Sequence, residues 1–593
     1  MGYAILSDES DLSLESLIAL DDGPTRSLLV PTDRPTKRAA NVLVDMLVEA
    51  GVEVVFGLPG GAIAPFQDAL LDRPEIRLIT TRQEAGAVYA AAGYARATGK
   101  LGVVAVTSGP GILNALTGIA SAHCDGIPLV VLAGEVPKNR FGKGAFQEGS
   151  AYELDIVGAA RSLTKFSAEI RDANAGLALF QKAITTAMSG RRGPVLLTVP
   201  VDVTTAHVRR PLLDTKSRSL REPSSGIIRT AASALASASR GVLFVGSGAR
   251  WGQGPRYVME LAERLQMPVM TTPKAKGVFP ERHRLSLGVF GWGGHASASS
   301  YLEKGVDVIM AIGTSLGEVA TDNWSPLLSA TDHFIHLDAE EEVIGRNYPV
   351  SIGLVGTVER LIPKLLVAVG PHKRQLRAYG VSRNDSGRSV LVGAEGRLAP
   401  QRAIWELQQV MPKETIYTSD IGEHMLFATH HLEIDSPDGF MIMSGLASMG
   451  SGVGAAIGIK VAHPERPVVS ICGDGCFSMA VADLATAVQE RLPLVIAVMN
   501  DERYGMVEIG NGVVYGRTPP YSFHTVNIPD LAIGMGAHAV VIQRPSDILA
   551  LDLVALTQSG PVVLDIRTDR SLQMSRARLD FLKKSQKREP AKA

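Results

Sequence analysis

Short runs rich in valine, leucine and isoleucine recur along almost the whole chain, each closed by glycine, proline or aspartate and followed by a stretch with helical spacing. PVVSIC running into Gly473-Asp474-Gly475, and PLVIAVM running into Asn500-Asp501, are two of them. Such runs have no alternating polar positions, so they suit strands buried on both faces. The helical stretches between them serve as crossovers between parallel strands. The pattern predicts an α/β chain of doubly wound parallel sheets. At 593 residues the chain is too long for one core. Two polar stretches, RRPLLDTKSRSLREPSSG and HKRQLRAYGVSRNDSGRSVLVGAEGR, read as linkers and leave three units at 36–208, 227–370 and 399–581. The first and third look alike in size and layering. Residues 1–35 read as a poorly ordered extension or a short capping helix, and residues 582–593 as a solvated tail.

A formal net charge of −1 gives no reason to expect nucleic acid or an acidic membrane as partner. No uninterrupted apolar run reaches the roughly 18 residues of a membrane span. The N-terminus lacks a basic region followed by an apolar core, so it does not read as a secretory signal, and a cytoplasmic location is expected. The cysteines, Cys124, Cys472 and Cys476, lack CxxC spacing, which argues against a disulfide framework or a zinc site. Cys476 follows the Gly-Asp-Gly turn and reads as a small residue packed close to any ligand there.

That turn carries the chemistry. Asp474 and Asp501 follow two successive strand-like runs with one helical stretch between them, which sets two carboxylates at the ends of adjacent parallel strands. Open α/β sheets bind ligands at that end. One or two carboxylates, a carbonyl and ligand phosphates are the donors expected around Mg²⁺. Gly-Asp-Gly alone is common at turns; the strand, turn, helix, strand and Asn-Asp together are far more specific.

The whole arrangement resembles the diphosphate-binding signature of thiamine diphosphate enzymes. The first unit narrows the resemblance. Its segments VFGLPGGAI, TRQEAGA, TSGPGILN, GIASAHCDGIPLVVLAGEV and GAFQEGSAYELDIVG are similar to the pyrimidine-binding domain of acetohydroxyacid (acetolactate) synthases. The similarity spans roughly residues 36–570 and is weakest in the second, central unit. It implies that Asp474, Asp501 and the main-chain carbonyl of Arg503 hold Mg²⁺. It implies that Glu84 contacts the pyrimidine ring nitrogen of thiamine diphosphate and favours its imino tautomer, and that Gln147 donates to a substrate oxygen. Gly60 and Gly61 fall among the catalytic positions. The resemblance also implies that Glu423 and His424 lie near the diphosphate, that Leu426 bends the cofactor, and that Gly445 and Met449 present main chain to the pyrimidine. Asn114, Gly475, Cys476, Tyr504, Gly505 and Met506 complete the cofactor-binding positions. The helix after Glu84 is rich in small uncharged residues, so a glutamate there is partly desolvated.

The chain departs from the synthase pattern at three places. Gln83-Glu84-Ala85 stands where synthases read His-Glu-Gln, and Gly510 stands at the place of a tryptophan that helps select the acceptor. In the central unit, Gly313 to Glu318 carries no arginine and Trp292 replaces a smaller residue, which argues against the structural FAD of the synthases. The expected activity is a carboligase or decarboxylase acting on a 2-oxo acid, pyruvate by preference, with an acetolactate-like product. The alternatives are a plain 2-oxo acid decarboxylase, a carboligase with another acceptor, and a non-catalytic cofactor-binding subunit. The resemblance also implies a homodimer or homotetramer with active sites between chains.

Overall fold

The computed structural model describes residues 36–209, 223–371, 375–383, 392, 396–521 and 526–574. The expectations for residues 1–35 and 582–593, and for most of the first linker, fall outside them. Among the described residues there are three six-stranded sheets, all parallel within themselves. The first contains β1 (Val54–Gly57), β2 (Arg77–Thr80), β3 (Gly102–Val106), β4 (Leu129–Glu135), β5 (Phe166–Glu169) and β6 (Pro194–Pro200). The second contains β7 (Gly241–Val245), β8 (Val269–Thr271), β9 (Ser286–Val289), β10 (Val308–Ile312), β11 (His333–Asp338) and β12 (Ile352–Val355). The third contains β13 (Ile416–Ser419), β14 (Phe440–Ile442), β15 (Val468–Gly473), β16 (Val495–Asn500), β17 (His538–Ile542) and β18 (Val562–Arg567).

The strand orders are β2-β1-β3-β4-β6-β5, β9-β8-β7-β10-β11-β12 and β14-β13-β15-β16-β18-β17. The first and third sheets therefore share one topology. The second has the strand order of a dinucleotide-binding sheet, with its switch point between β7 and β10. The strands absent from the sequence reading are β2, β5, β9, β12 and β14, and every one is an edge. Three of them, RLIT, FSAE and IGLV, are only partly buried, and the other two span four and three residues, so none forms a long apolar run.

Six helices position the candidate sites: α1 (Glu84–Thr98), α2 (Pro110–Asp125), α3 (Glu423–His431), α4 (Ser451–Ala462), α5 (Asp474–Gln489) and α6 (Gly505–Tyr515). Helix α2 starts where its sequence dictates: Gly109 adopts φ 56° before Pro110 at the first turn, and Gly126 closes the helix at φ 65°. Helices α1 and α4 pack backbone to backbone. A Cβ added at Gly458 would overlap the Ala90 carbonyl, and one at Gly93 would overlap that of Ala455. The small residues of both helices permit that approach. One hydrophobic cluster consequently runs from Tyr89, Ala91 and Tyr94 of the first unit to Val453, Ile457 and Cys472 of the third. Burying such a continuous apolar surface is the main force that fixes the two units together. The central unit has its own clusters and is tied to the third where Ile434 N donates to the buried Glu281 Oε2 at 3.0 Å, a carboxylate also paired with Lys276 at 2.6 Å and Arg383 at 2.6 Å. Among the described residues, no helix is long and apolar enough to cross a membrane.

Candidate active site

Strands β15 and β16 are hydrogen-bonded neighbours, with Gly473 opposite Met499. Asp474 opens α5 directly at the end of β15, and Asp501 follows the last residue of β16. Beyond them lies a cavity of about 280 Å³, lined by the third unit alone: Glu423 and His424 from α3, Met449, Gly473 to Cys476, Asp501, and Arg503 to Val507. Glycine is required at its floor. A Cβ at Gly475 would lie 2.6 Å from the Tyr504 ring, and one at Gly505 would lie 2.7 Å from an Asp501 oxygen.

The polar groups in this cavity are incompletely satisfied. Asp474 is buried and accepts from Gly475 N at 2.9 Å through Oδ1, while Oδ2 has no partner among the described residues. Burial, and then the neighbouring Asp501 carboxylate, push the Asp474 carboxyl up to about 7. Asp501 is also pushed up by burial, against the pull of Arg503, whose Nε bonds its Oδ2 at 2.9 Å. Arg503 reaches Glu508 at 2.9 Å and the Arg570 carbonyl at 2.6 Å with its other nitrogens. Its guanidinium thus offsets the charge that Asp501 adds to the site. His424 is packed against Gly422 and Gly473, and burial pushes its imidazole down to about 4, so it is neutral near pH 7. Its Nε2 is buried without a partner among the described residues. Buried polar atoms without a partner call for an explanation, such as a bound water, ion or ligand. A carboxylate that burial drives toward protonation, beside a second one and at a helix N-terminus, fits a site for a divalent cation and a phosphate. No group of three or more His, Cys, Asp and Glu side chains is placed to hold a metal among the described residues, so phosphate and carbonyl oxygens have to complete any such shell.

The other cavity residues fall as follows. Cys476 is buried, its Sγ donates to the Ile421 carbonyl at 3.1 Å, and burial pushes its thiol well up, which is the behaviour of a packed residue. Glu423 accepts from Met574 N at 2.7 Å and so ties the end of the third unit to the cavity rim. Leu426 lies outside the cavity lining, fully buried in the core, whereas the adjacent Phe427 does line the cavity. Gly445 faces a different cavity and donates to Asp125 Oδ1 at 3.1 Å.

A second constellation forms at the ends of β1, β3 and β4. Glu84 is half-buried at the start of α1 and accepts from Asn114 Nδ2 at 3.1 Å. A Cβ at Gly111 would lie 3.6 Å from Glu84 Oε1, and one at Gly60 would collide with Thr107. Gln147, at φ 63°, packs against Gly109. Glu84, Gly60, Asn114 and Gln147 are thus gathered in one place, with Gly61 beside Gly60, but none of them lines the 280 Å³ cavity of the same chain. Thr107 escaped the sequence reading. Its hydroxyl is buried without a partner among the described residues, and its contacts with Gly60 and Gly111 reveal it.

A larger cavity, of about 740 Å³, lies where the three units meet, at the switch point of the second sheet. Its cations are largely engaged: Lys274 with Asp125 at 2.9 Å, Arg191 with Glu340 at 3.5 Å, and Arg192 over the Trp251 ring. Glu318, Asp338 and Glu359 add to the carboxylates of its wall.

Three protein-family models match the three sheets in order: the thiamine pyrophosphate enzyme N-terminal TPP binding domain over residues 37–154, the central domain over 228–365 and the C-terminal TPP binding domain over 420–566. Fold and site together define a thiamine pyrophosphate-dependent enzyme. The chain belongs to the thiamine pyrophosphate enzyme family and, within it, is similar to the acetolactate synthases. The acetolactate synthase large subunit of Mycobacterium tuberculosis is 32% identical over 550 residues, covering 89% of this chain and 87% of its own length. The isozyme 3 large subunit of Escherichia coli is 32% identical over 560 residues, covering 90% and 95%. The mitochondrial catalytic subunit of Saccharomyces cerevisiae is 32% identical over 558 residues, covering 89% and 80%.

Proposed function

We propose that the chain is a Mg²⁺-assisted, thiamine diphosphate-dependent carboligase that takes a two-carbon unit from pyruvate and joins it to an aldehyde or 2-oxo acid acceptor. The observation that carries this reading is the cavity at the ends of β15 and β16, with Asp474 Oδ2 and His424 Nε2 buried and unpartnered. Asp474, Asp501 and the Arg503 carbonyl would hold Mg²⁺. The amides at the start of α5, including those of Gly475 and Cys476, would meet the diphosphate together with His424, and Glu423, Met449, Tyr504, Gly505 and Met506 would line its bed. When bound, the cofactor supplies the electron sink that decarboxylation of a 2-oxo acid needs.

Glu84 would hold a proton at the pyrimidine ring nitrogen, with Asn114 fixing its second oxygen. Gln147 would donate to a substrate oxygen, where a positioned donor counts for most. Because Glu84 and the cavity sit apart in one chain, we assign each complete site to two chains, a first unit of one and a third unit of the other. Exposed apolar side chains near both halves support such a pairing: Leu113, Phe146 and Tyr152 in the first unit, and Leu446, Met479 and Val507 in the third. For the central cavity we favour a reading without flavin, because the residues present do not suit a pyrophosphate: its carboxylates outnumber its cations, and those cations are largely engaged.

The test is to supply the protein with thiamine diphosphate, Mg²⁺ and labelled pyruvate, add a panel of aldehydes and 2-oxo acids, and identify products by mass. Carbon dioxide release with a labelled two-carbon unit in a larger product is expected. Acetaldehyde alone would make the chain a plain decarboxylase, and cofactor binding without release from any 2-oxo acid would make it non-catalytic.

A further inference from the structure

Glu135 is the last residue of β4 and is 1% exposed. No cation is paired with it among the described residues, and the charges that act on it are those of the Glu169 and Glu148 carboxylates. Its partners are main-chain amides: Oε1 accepts from Val136 N at 2.8 Å and from Gly149 N at 3.1 Å, and Oε2 accepts from Gly149 N at 3.1 Å. Glycine is required at 149, since a Cβ there would lie 2.8 Å from Glu135 Oε2. A buried carboxyl without a counter-ion is costly, and removing its partners would cost more. This one is spent on a single turn of chain.

That turn, residues 145–149, carries Phe146 and Gln147. Phe146 is 87% exposed, so its side chain does not anchor the turn in the chain's own core. Gln147 is held in the left-handed region, at φ 63°, with a Cβ at Gly109 reaching to 3.1 Å from it. A non-glycine residue persists at such a φ only when its surroundings impose it. Glu148 ties the opposite side of the turn, accepting from Gly142 N at 2.8 Å and from the Ser150 hydroxyl. Strand β4 itself is fixed beside the site, because a Cβ at Gly134 would overlap the main chain of Ala62.

We propose that Glu135 is a positioning residue, which clamps the Gly149 amide and so holds Gln147 over the start of α2, beside the Glu84–Asn114 pair. The inference rests on the substrate-binding assignment of Gln147 made above. Glu135 touches neither substrate nor cofactor; it acts through the backbone two residues beyond Gln147.

The experiment uses the full-length holoenzyme with pyruvate and compares Gln147→Ala, Glu135→Ala, Glu135→Gln and the Glu135→Ala/Gln147→Ala double variant. Gln147→Ala should lower kcat/KM for pyruvate at least about tenfold, as loss of a substrate-oxygen donor does. Glu135→Ala should lower it by a similar factor with cofactor affinity unchanged, and the double variant should be no worse than Gln147→Ala, because residues acting as a unit are not additive. Glu135→Gln, which keeps one acceptor oxygen on Val136 N and Gly149 N, should recover most of the loss. Should Glu135→Ala fail to fold, Gly149→Ala takes its place, since its methyl group displaces the carboxyl while leaving Glu135 present. Effects that multiply in the double variant, or a wild-type kcat/KM in Glu135→Ala, overturn the clamp while leaving the role of Gln147 standing. A wild-type kcat/KM in Gln147→Ala removes the assignment of Gln147 and the clamp with it.

Discussion

Two inactive chains should restore each other. In a single chain the cavity around Asp474 is lined by the third unit alone, while Glu84 sits with Asn114 in the first. The packing of α1 on α4, with Gly93 and Gly458 against opposing carbonyls, leaves no room for the two units to slide until these groups meet. A second copy related by a twofold axis can bring them together, and closed twofold pairs are the commonest soluble oligomers. Glu84→Gln then damages the proton-holding half of every site, and Asp474→Ala the metal-holding half. In a hybrid pair one site collects both lesions and the other neither. Each parent should fall to about 1% of wild-type activity or below, given a loss of about 10²–10⁴-fold for a positioned acid–base group. The hybrid should return to about half, because twofold symmetry gives two sites and one is intact. The chains are co-expressed with different affinity tags, the hybrid is isolated on both tags in turn, and carbon dioxide release from pyruvate is measured per pair. A hybrid as inactive as its parents would show that each chain contains its own complete site.

The Glu84→Gln protein alone should still bind thiamine diphosphate, but hydrogen exchange at the thiazolium carbon, followed by NMR, should slow by about 10²-fold or more; an unchanged rate would remove Glu84 from the mechanism. Asp474→Ala should lose cofactor affinity rather than intrinsic rate, because the diphosphate would lack its cation, and calorimetry showing near-normal affinity would contradict the metal assignment. A pH effect on stability comes from Asp483, fully buried on α5, whose carboxyl is pushed up to about 7 by burial and by Asp420. Its folded value lies above the ordinary 3.8, so the unfolded chain gives up this proton first, and the stability it contributes at low pH is lost as pH rises toward 7. Asp483→Asn should therefore gain on wild type by roughly 2 kcal/mol between pH 5 and pH 8 in denaturant titrations, whereas parallel pH profiles would refute this.

The sheets and the placing of two carboxylates at strand ends of the third unit were readable because they depend on local pattern: buried runs such as VVSIC and VIAVM, and turn residues that follow them directly. Edge strands were not, because RLIT and FSAE are half-exposed and carry no distinctive period. Relations across the chain were hidden for another reason. Nothing local to Arg503 shows that its side chain reaches the Arg570 carbonyl, nor does the sequence show that Leu426 turns into the core while Phe427 faces the cavity. The positive φ of Gln147 is equally invisible, since glutamine has no preference for it and the turn is imposed by Gly109, Glu135 and Glu148. The shared topology of the first and third sheets appeared only with strand order, although their similar layering hinted at it.

The floor of the 280 Å³ cavity is built from glycine, main-chain amides and two carboxylates. Apart from Asp474 and Asp501, such a floor offers little side chain for substitution to reshape. On the proposed reading, point changes that alter which molecules the enzyme accepts arise away from that floor, at Gln83 and Ala85 beside Glu84 or at Val507 on the cavity wall. On that reading, substrate preference can be altered at little risk to the cofactor's hold, since the floor and those positions are different residues.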